Sequence, residues 1–486
     1  MTQELAHELM YVGGEWRASS SGETHTLYNP ATGEKLASVP YASKDDADLA
    51  IETAKSVLTD ETWKGMDPSR RGSLLRKLAK LTYDHAKELA LIESQNNGKT
   101  MRDAMGDVRF AAQTLDYYAG WCDKIEGRTI PVPGARIDYT LRQPLGATLH
   151  IIPWNFPLQL AIRSIAPALA AGCSVIAKPA SLTPLSLLRW ARLAEEAGIP
   201  KGVLQVITGS GSKIGDYLVR SPNIDGISVT GSVETGAAVM KAAADNITPV
   251  TLELGGKGAN IVLPDANLKR AAKGICFGIF WNAGQMCWAG ARLIAHEEIA
   301  TELVDLVKDE VAKWKIGPGT EEGVRIGSLV SQDQREIVLD YVRKGIDSGA
   351  KLVVGGGPPK DESLKNGAFL EPTILAEVDP NNVVAKEEIF GPVLSVIPFS
   401  DLDEAIRIAN DTDFGLLNGI WTSNLRNAHF LAKELESGMV SINEYPVTFP
   451  QTPFIGWKKS GIGAEQGEMA LQFYSRTKNV NVNFSF

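Results

Sequence analysis

Cys287 lies in FWNAGQMCWAGARL between Gly284 and Gly290, where glycine allows a strained turn and close backbone approach. A thiol there could serve as a nucleophile once deprotonated, although a lone cysteine is also an ordinary small buried apolar side chain. Glu253 in TLELGGKG ends a strand-like run and precedes two glycines, which suits a carboxylate projecting into a cleft. By type alone, a surface glutamate is the ordinary alternative. Asn155 sits between Trp154 and Phe156, bracketed by Pro153 and Pro157. An amide held this rigidly either completes structural hydrogen bonds or donates to a reacting oxygen.

Other residues suggest a phosphate-bearing ligand. Lys178-Pro179 follows the strand-like SVIA, which puts an ammonium at the carboxyl end of a strand, where open α/β sheets bind ligands. A solvated lysine is the plain alternative. Gly209, Gly211 and Gly215 in GSGSKIG, and Gly231 with Ser232 in VTGSVETG, mark two strand-to-helix junctions whose backbone N–H groups could face phosphate. The first is one residue longer than the dinucleotide fingerprint, so a simple turn remains open. Two such junctions in one α/β unit favour a nucleotide.

These residues need elements to position them. Residues 43–58 begin with Ser43 three before Asp46 and continue with helical apolar spacing, and a longer helical stretch runs from Pro68 to Gln95. From residue 147, short β-branched runs (ATLHII, SVIA, VLQVI, GISV, ANIVL) alternate with helical text, as parallel β-α-β units do. After residue 256 a second series carries ARLIAH, KLVV and LSVIPF between helical 297–314, 401–410 and 424–437. Two α/β domains follow. Two segments stand apart: RIDYTLRQ alternates Ile137, Tyr139, Leu141, and NVNVNFSF alternates Val480, Val482, Phe484. Each reads as a strand with one apolar face, paired with another subunit or packed within its own.

The chain has 486 residues and a net charge of −9, without a Lys/Arg block, which disfavours nucleic acid as a partner. The longest apolar-looking stretch, Ser164 to Ala177, is shorter than the ~20 residues of a membrane helix. The N-terminus lacks a basic start and apolar core, so a cytoplasmic protein is expected. Cys122, Cys173, Cys276 and Cys287 form no C-x-x-C pair, and the histidines lack i, i+4 spacing. Reduced thiols and no metal site are expected.

Taken in order, PWNFP, KPA, VTGSVETG, ELGGK, GQMC and EEIFGPV resemble the aldehyde dehydrogenase superfamily from about residue 10 to the end. The resemblance implies an α/β fold with a Rossmann-like cofactor domain (1–121 and 145–255), an α/β catalytic domain (256–460) and a β-strand oligomerisation arm (122–144 and 461–486). It implies oxidation of a small-molecule aldehyde to a carboxylic acid through a cysteine thiohemiacetal and thioester, with reduction of NAD or NADP, in a homodimer or homotetramer. Cys287 matches the nucleophile in thiolate form, Asn155 the oxyanion donor, Glu253 the base that activates water, and Glu465 a carboxylate proposed to relay protons. Trp154, Lys178, Gly211, Gly215, Gly231 and Ser232 match positions holding adenosine and pyrophosphate, while Glu388 and Phe390 match those positioning the nicotinamide ribose. The chain departs from the family at Ile455, usually Gly, and at Ala464, commonly basic. A protein that kept the fold without activity is one rival reading, and an esterase-like use of the thiol is another.

In relatives strict for NAD, a glutamate that repels a 2′-phosphate often stands three residues after the KPA-type lysine. Here that position is Ser181, so NADP is expected to be accepted and NAD to be usable. Arg163 matches an arginine that binds the substrate carboxylate in succinate semialdehyde dehydrogenases, yet Trp281 stands where those relatives carry a second arginine. Thr448 adds a hydroxyl, and Phe454, Tyr445, Phe449 and Trp288 add aromatic rings. An acidic aldehyde is the expected substrate and an aromatic one the alternative; an internal salt bridge would instead make Arg163 structural.

Overall fold

The computed structural model describes residues 6–485. An eight-stranded sheet has at its centre five parallel strands, in the order Val250–Glu253, Gly226–Thr230, Ala147–Ile151, Ser174–Lys178, Leu204–Val206. Chain order reverses between Ala147–Ile151 and Gly226–Thr230, and at such a switch point the strand ends leave a crevice. Apolar side chains cover both faces. Leu75, Leu115, Ile162 and Trp190 pack on one side, and Ile51, Leu149, Ile176 and Val229 on the other. The helix Pro157–Ala171 is buried along its whole length.

The second sheet has seven strands, ordered Lys351–Val354, Thr373–Ala376, Val393–Phe399, Arg292–His296, Ala259–Val262, Leu417–Trp421, Met439–Ile442. All are parallel except the first, which runs against Thr373–Ala376. The chain passes from Glu253, at the carboxyl end of a strand in the first sheet, to Ala259, at the amino end of one in the second.

A third sheet pairs Ser475–Asn483 antiparallel with Arg136–Pro144, setting Val480 against Tyr139 and Val482 against Ile137, with Thr129–Ile130 on the far side of Arg136–Pro144. Ile137, Leu141 and Phe484 remain exposed within one chain. The segment 461–486 divides. Gly461–Ile462 joins the eight-stranded sheet, and only the terminal strand enters the arm.

Local signals account for several boundaries. Ser43 caps the helix Lys44–Ser56 in a reciprocal capping box with Asp46. The stretch read as one helix from Pro68 to Gln95 is two, Pro68–Asp84 and Ala86–Asn97, because His85 adopts ψ 15° and turns its ring to Glu88. No helix among the described residues is long and apolar enough to cross a membrane.

The second of these helices and the turn after it anchor the functional loops through a buried charge cluster. Lys99 Nζ lies 2.5 Å from Asp107 and 3.5 Å from Glu93, all three side chains being at most 2% exposed. The ammonium also sits 4.2 Å from the Phe156 ring centre. Glu93 accepts the Leu158 N–H, and Asn97 donates to the Trp154 carbonyl. Removing one partner of a buried charge cluster leaves the others uncompensated. Lys99→Met is therefore expected to cost about 3–5 kcal/mol of stability, measured by denaturant unfolding; a loss below about 1 kcal/mol would contradict this.

Candidate active site

The loop that presents Cys287 follows the helix Leu268–Phe280 and turns through three successive left-handed residues, Asn282 (φ 48°), Ala283 (φ 51°) and Gly284 (φ 72°). Such conformations persist only where surrounding contacts hold them. Here Asn282 Nδ2 donates to the Asn155 carbonyl at 3.1 Å, and Gln285 Nε2 donates to the Asn282 carbonyl at 3.2 Å. Val330 N–H donates to Gln285 Oε1 at 2.9 Å. A Cβ at Gly284 would collide with the Gly391 carbonyl, so glycine is required there. Asn155 Nδ2 in turn donates to the Gln285 carbonyl at 3.0 Å, which locks the PWNFP loop to the cysteine loop. An amide NH2 has two hydrogens, and one of them remains for a ligand.

Cys287 lies where two cavities meet. One, of about 250 Å³, is lined by Trp154, Asn155, Gly231, Ser232, Glu388 and Phe390 together with Cys287 and Gln334. It sits at the strand switch point and adjoins, through Ser232 and Glu388, a wider groove of about 770 Å³. Phe390 holds a left-handed φ of 57°, its ring edge-on to Trp154 at 5.1 Å, while its carbonyl accepts from Gln334 Nε2. Ser232 caps the helix Val233–Ala244, whose N-terminus therefore opens on the cleft. Lys178 ends its strand beside the Gly211–Gly215 turn, where its chain packs on Gly215, and Ser181 is half-buried three residues further on. These four form a second group, outside the lining of the Cys287 cleft.

The other cavity is narrow. Arg163, Thr448, Phe454 and Trp288 line it together with Cys287. Trp281 lies outside that lining; it stacks on Phe277 at 5.0 Å and tilts against Phe156 at 5.4 Å. Thr448 donates its hydroxyl to Gln466 Oε1 at 2.9 Å. The Arg163 guanidinium already has a counter-charge, met through Nε, while its Nη2 has no hydrogen-bond partner within the protein. It forms a buried ion pair with Glu465 and lies 4.3 Å from the Phe454 ring centre. The internal salt bridge, not an open anion clamp, is what the structure contains, because a buried guanidinium is stable only beside an opposite charge.

Burial dominates the titration of the site. Loss of hydration pushes the Cys287 thiol up to about 12, with Arg163 opposing and Glu388 and Glu253 adding to the rise. In the cofactor-free site this burial favours the protonated thiol, against the thiolate that the family resemblance implies. Desolvation, then repulsion from Glu465, raises Glu253 well above the carboxylate range against the pull of Arg163, and neither Glu253 oxygen has a hydrogen-bond partner within the protein. Burial raises Glu388 to about 7 although Gly256 N–H donates to it, lowers Lys178 to about 8, and lowers Lys257 to about 7 with help from Arg292.

Sequence reasoning did not single out Gln285, Asn282, Gln334 or Lys257. Gln285 and Asn282 sit in the cysteine motif, so proximity to Cys287 was the available signal. Gln334 is on a distant helix and had none.

The fold and site define a two-domain α/β protein with a dinucleotide-type strand order and a thiol at the junction of two cavities. The chain belongs to the aldehyde dehydrogenase family, whose sequence profile matches residues 16–480. It is 41% identical over 99% of its length to a phenylacetaldehyde dehydrogenase of Pseudomonas fluorescens, covering 96% of that protein. It is 40% identical over 99% of its length to a hydroxyisobutyraldehyde dehydrogenase of Mycolicibacterium austroafricanum, covering 95% of that protein. Among solved structures, the NAD+ complex of an aldehyde dehydrogenase from Bacillus cereus superposes with a TM-score of 0.96 at 40% identity, covering 99% of this chain and 97% of that one.

Alkylation reads out the resting thiol. Because only the thiolate reacts readily and Cys287 is held near 12, its alkylation by iodoacetamide in the cofactor-free protein is expected to accelerate continuously from pH 7 to 10. A plateau below pH 9, followed by peptide mass spectrometry, would contradict this.

Proposed function

We propose that the protein oxidises an aldehyde to a carboxylic acid with NAD or NADP as acceptor, through covalent catalysis at Cys287. One observation carries the reading: a single sulfur faces both the cleft at the strand switch point and the narrow cavity beyond it. A bound aldehyde and a bound dinucleotide could therefore meet at this sulfur.

Cys287 Sγ bonds to the aldehyde carbon, and the thiol proton leaves to water, so that Glu253 stays unprotonated for the later step. Asn155 Nδ2 and the Cys287 N–H donate to the oxygen as its charge grows. A nicotinamide bound in the cleft would supply the hydride acceptor by which the carbon held on Cys287 becomes a thioester. Glu253 then removes a proton from the attacking water, a task suited to a carboxylate whose proton affinity burial has raised. The repulsion between Glu465 and Glu253, together with the hydrogen bond Glu465 accepts from Ser228 at 3.1 Å, supports a role for Glu465 in passing that proton onward.

The dinucleotide fits the residues present. The N-terminus of Val233–Ala244, which Ser232 caps, would present backbone N–H groups to phosphate, with the preceding Gly231 N–H held by the Glu253 carbonyl at 3.1 Å. Trp154 and Lys178, with Gly211 and Gly215, would hold adenosine and pyrophosphate, while Glu388 and Phe390 would set the nicotinamide ribose. The NAD+ named for the Bacillus cereus relative supports NAD. Ser181 in place of a carboxylate extends this to NADP. The arm's exposed Ile137, Leu141 and Phe484 favour a homodimer or homotetramer that covers them.

Cys287→Ala is expected to abolish cofactor reduction, while Glu253→Gln retains a single-turnover burst and then stalls with an acyl adduct visible by intact-mass spectrometry. Steady turnover by Cys287→Ala would overturn the mechanism.

For the cofactor, kcat/KM with NADP is expected to be comparable to that with NAD. Binding of NADP should weaken as the pH rises through about 8, where Lys178 loses its charge. Strict NAD use that Ser181→Glu leaves unchanged would refute the cofactor reading.

A further inference from the structure

Arg163 is held on two sides. Its guanidinium lies over the Phe454 ring and pairs with Glu465, with both charged side chains almost fully buried at 4% and 2% exposure. Glu465 is fixed in turn. Its backbone forms an antiparallel bridge with Phe454, N–H to carbonyl in both directions at 2.6 and 2.9 Å, and Ser228 donates to its second oxygen. Arginine, ring and carboxylate thus form one rigid unit against the cavity beyond Cys287.

We infer that Glu465 is a specificity-determining residue: by neutralising the charge of the Arg163 guanidinium it excludes anionic aldehydes and leaves the cavity to neutral aldehydes with an apolar or aromatic body. The inference rests on the reading of Cys287 as the nucleophile and adds the substrate class. The decisive quantity is the sign of the local charge. Arg163 and Glu465 cancel, Glu253 adds at most a negative charge, and the remaining polar lining (Gln159, Thr448, Gln466) is neutral. Thr448 has already committed its hydroxyl to Gln466. An entering carboxylate would lose its water and meet no net positive charge in exchange. A ring or alkyl chain would meet Phe454 and Trp288, 5.7 Å apart between centroids, and lose nothing. This is discrimination by a denied partner as much as by favourable contact.

Succinic semialdehyde and its methyl ester differ only in the charge, so they form the test pair. In the wild-type protein the ester is expected to have the higher kcat/KM by about tenfold or more, the difference residing in KM. Glu465→Gln retains side-chain shape but frees the guanidinium. It is expected to lower KM for the semialdehyde by about tenfold while that of the ester changes less than about twofold. Because Glu465 is also placed to relay protons, kcat falls with both substrates, and the ratio of the two KM values is the readout. Arg163→Leu in the wild-type background is expected not to raise KM for the semialdehyde selectively; added to Glu465→Gln, it should cancel the gain. A wild-type preference for the semialdehyde, or a selective rise in its KM on Arg163→Leu, would overturn this inference while leaving the dehydrogenase reading intact. Failure of every aldehyde, charged or neutral, to reduce either cofactor would overturn both.

Discussion

Two sheets meet end to end, carboxyl ends of one against amino ends of the other, and the chain crosses between them at residues 254–258. The functional cleft depends on this crossing. Because strand order in the first sheet reverses between Ala147–Ile151 and Gly226–Thr230, the PWNFP loop and the Gly231-Ser232 turn diverge there and leave a crevice. The second sheet closes that crevice with the loops that enter its strands, which carry Cys287 before Arg292–His296 and Glu388 and Phe390 before Val393–Phe399. No single segment could bring the Ser232-capped helix end and a thiol to one point; two opposed sets of strand ends do.

Burial at that junction sets the chemistry. Exclusion of water there pushes the Cys287 thiol toward its protonated form and raises the proton affinity of Glu253. Buried charge elsewhere is handled by pairing. Lys99 is matched by Asp107 and Glu93, and Arg163 by Glu465. Lys257 departs from this, since its amine has no hydrogen-bond partner within the protein, and burial pulls it down to about 7, near neutrality. The left-handed run at Asn282–Gly284 belongs to the same economy of constraint. It is tolerable because Gln285, Asn282 and Asn155 bond one another across the two loops that must stay in register.

What the sequence by itself determined was local or carried by motif. Alternating β-branched runs and helical spacings marked most strands and helices, since period and caps are properties of a few neighbouring residues; Ser43 and Asp46 are an instance. Glycines beside Cys287 and at residues 231 and 211–215 signalled tight turns, and the turns are there. The alternation in 136–143 and 479–486 indicated two one-faced strands, and their pairing across more than three hundred residues matches Val480 to Tyr139. Tertiary structure alone decided the rest. The break at His85 follows from how the second helix must turn to bring Glu93 under the PWNFP loop. The division of 461–486 between two sheets follows from edge pairing with Val250–Glu253. The ionic state of the site was out of reach for the same reason. Charge at Arg163 depends on Glu465, three hundred residues away in the chain, and on the loss of water around both, and neither burial nor a distant partner is written in the type of a residue or its immediate neighbours.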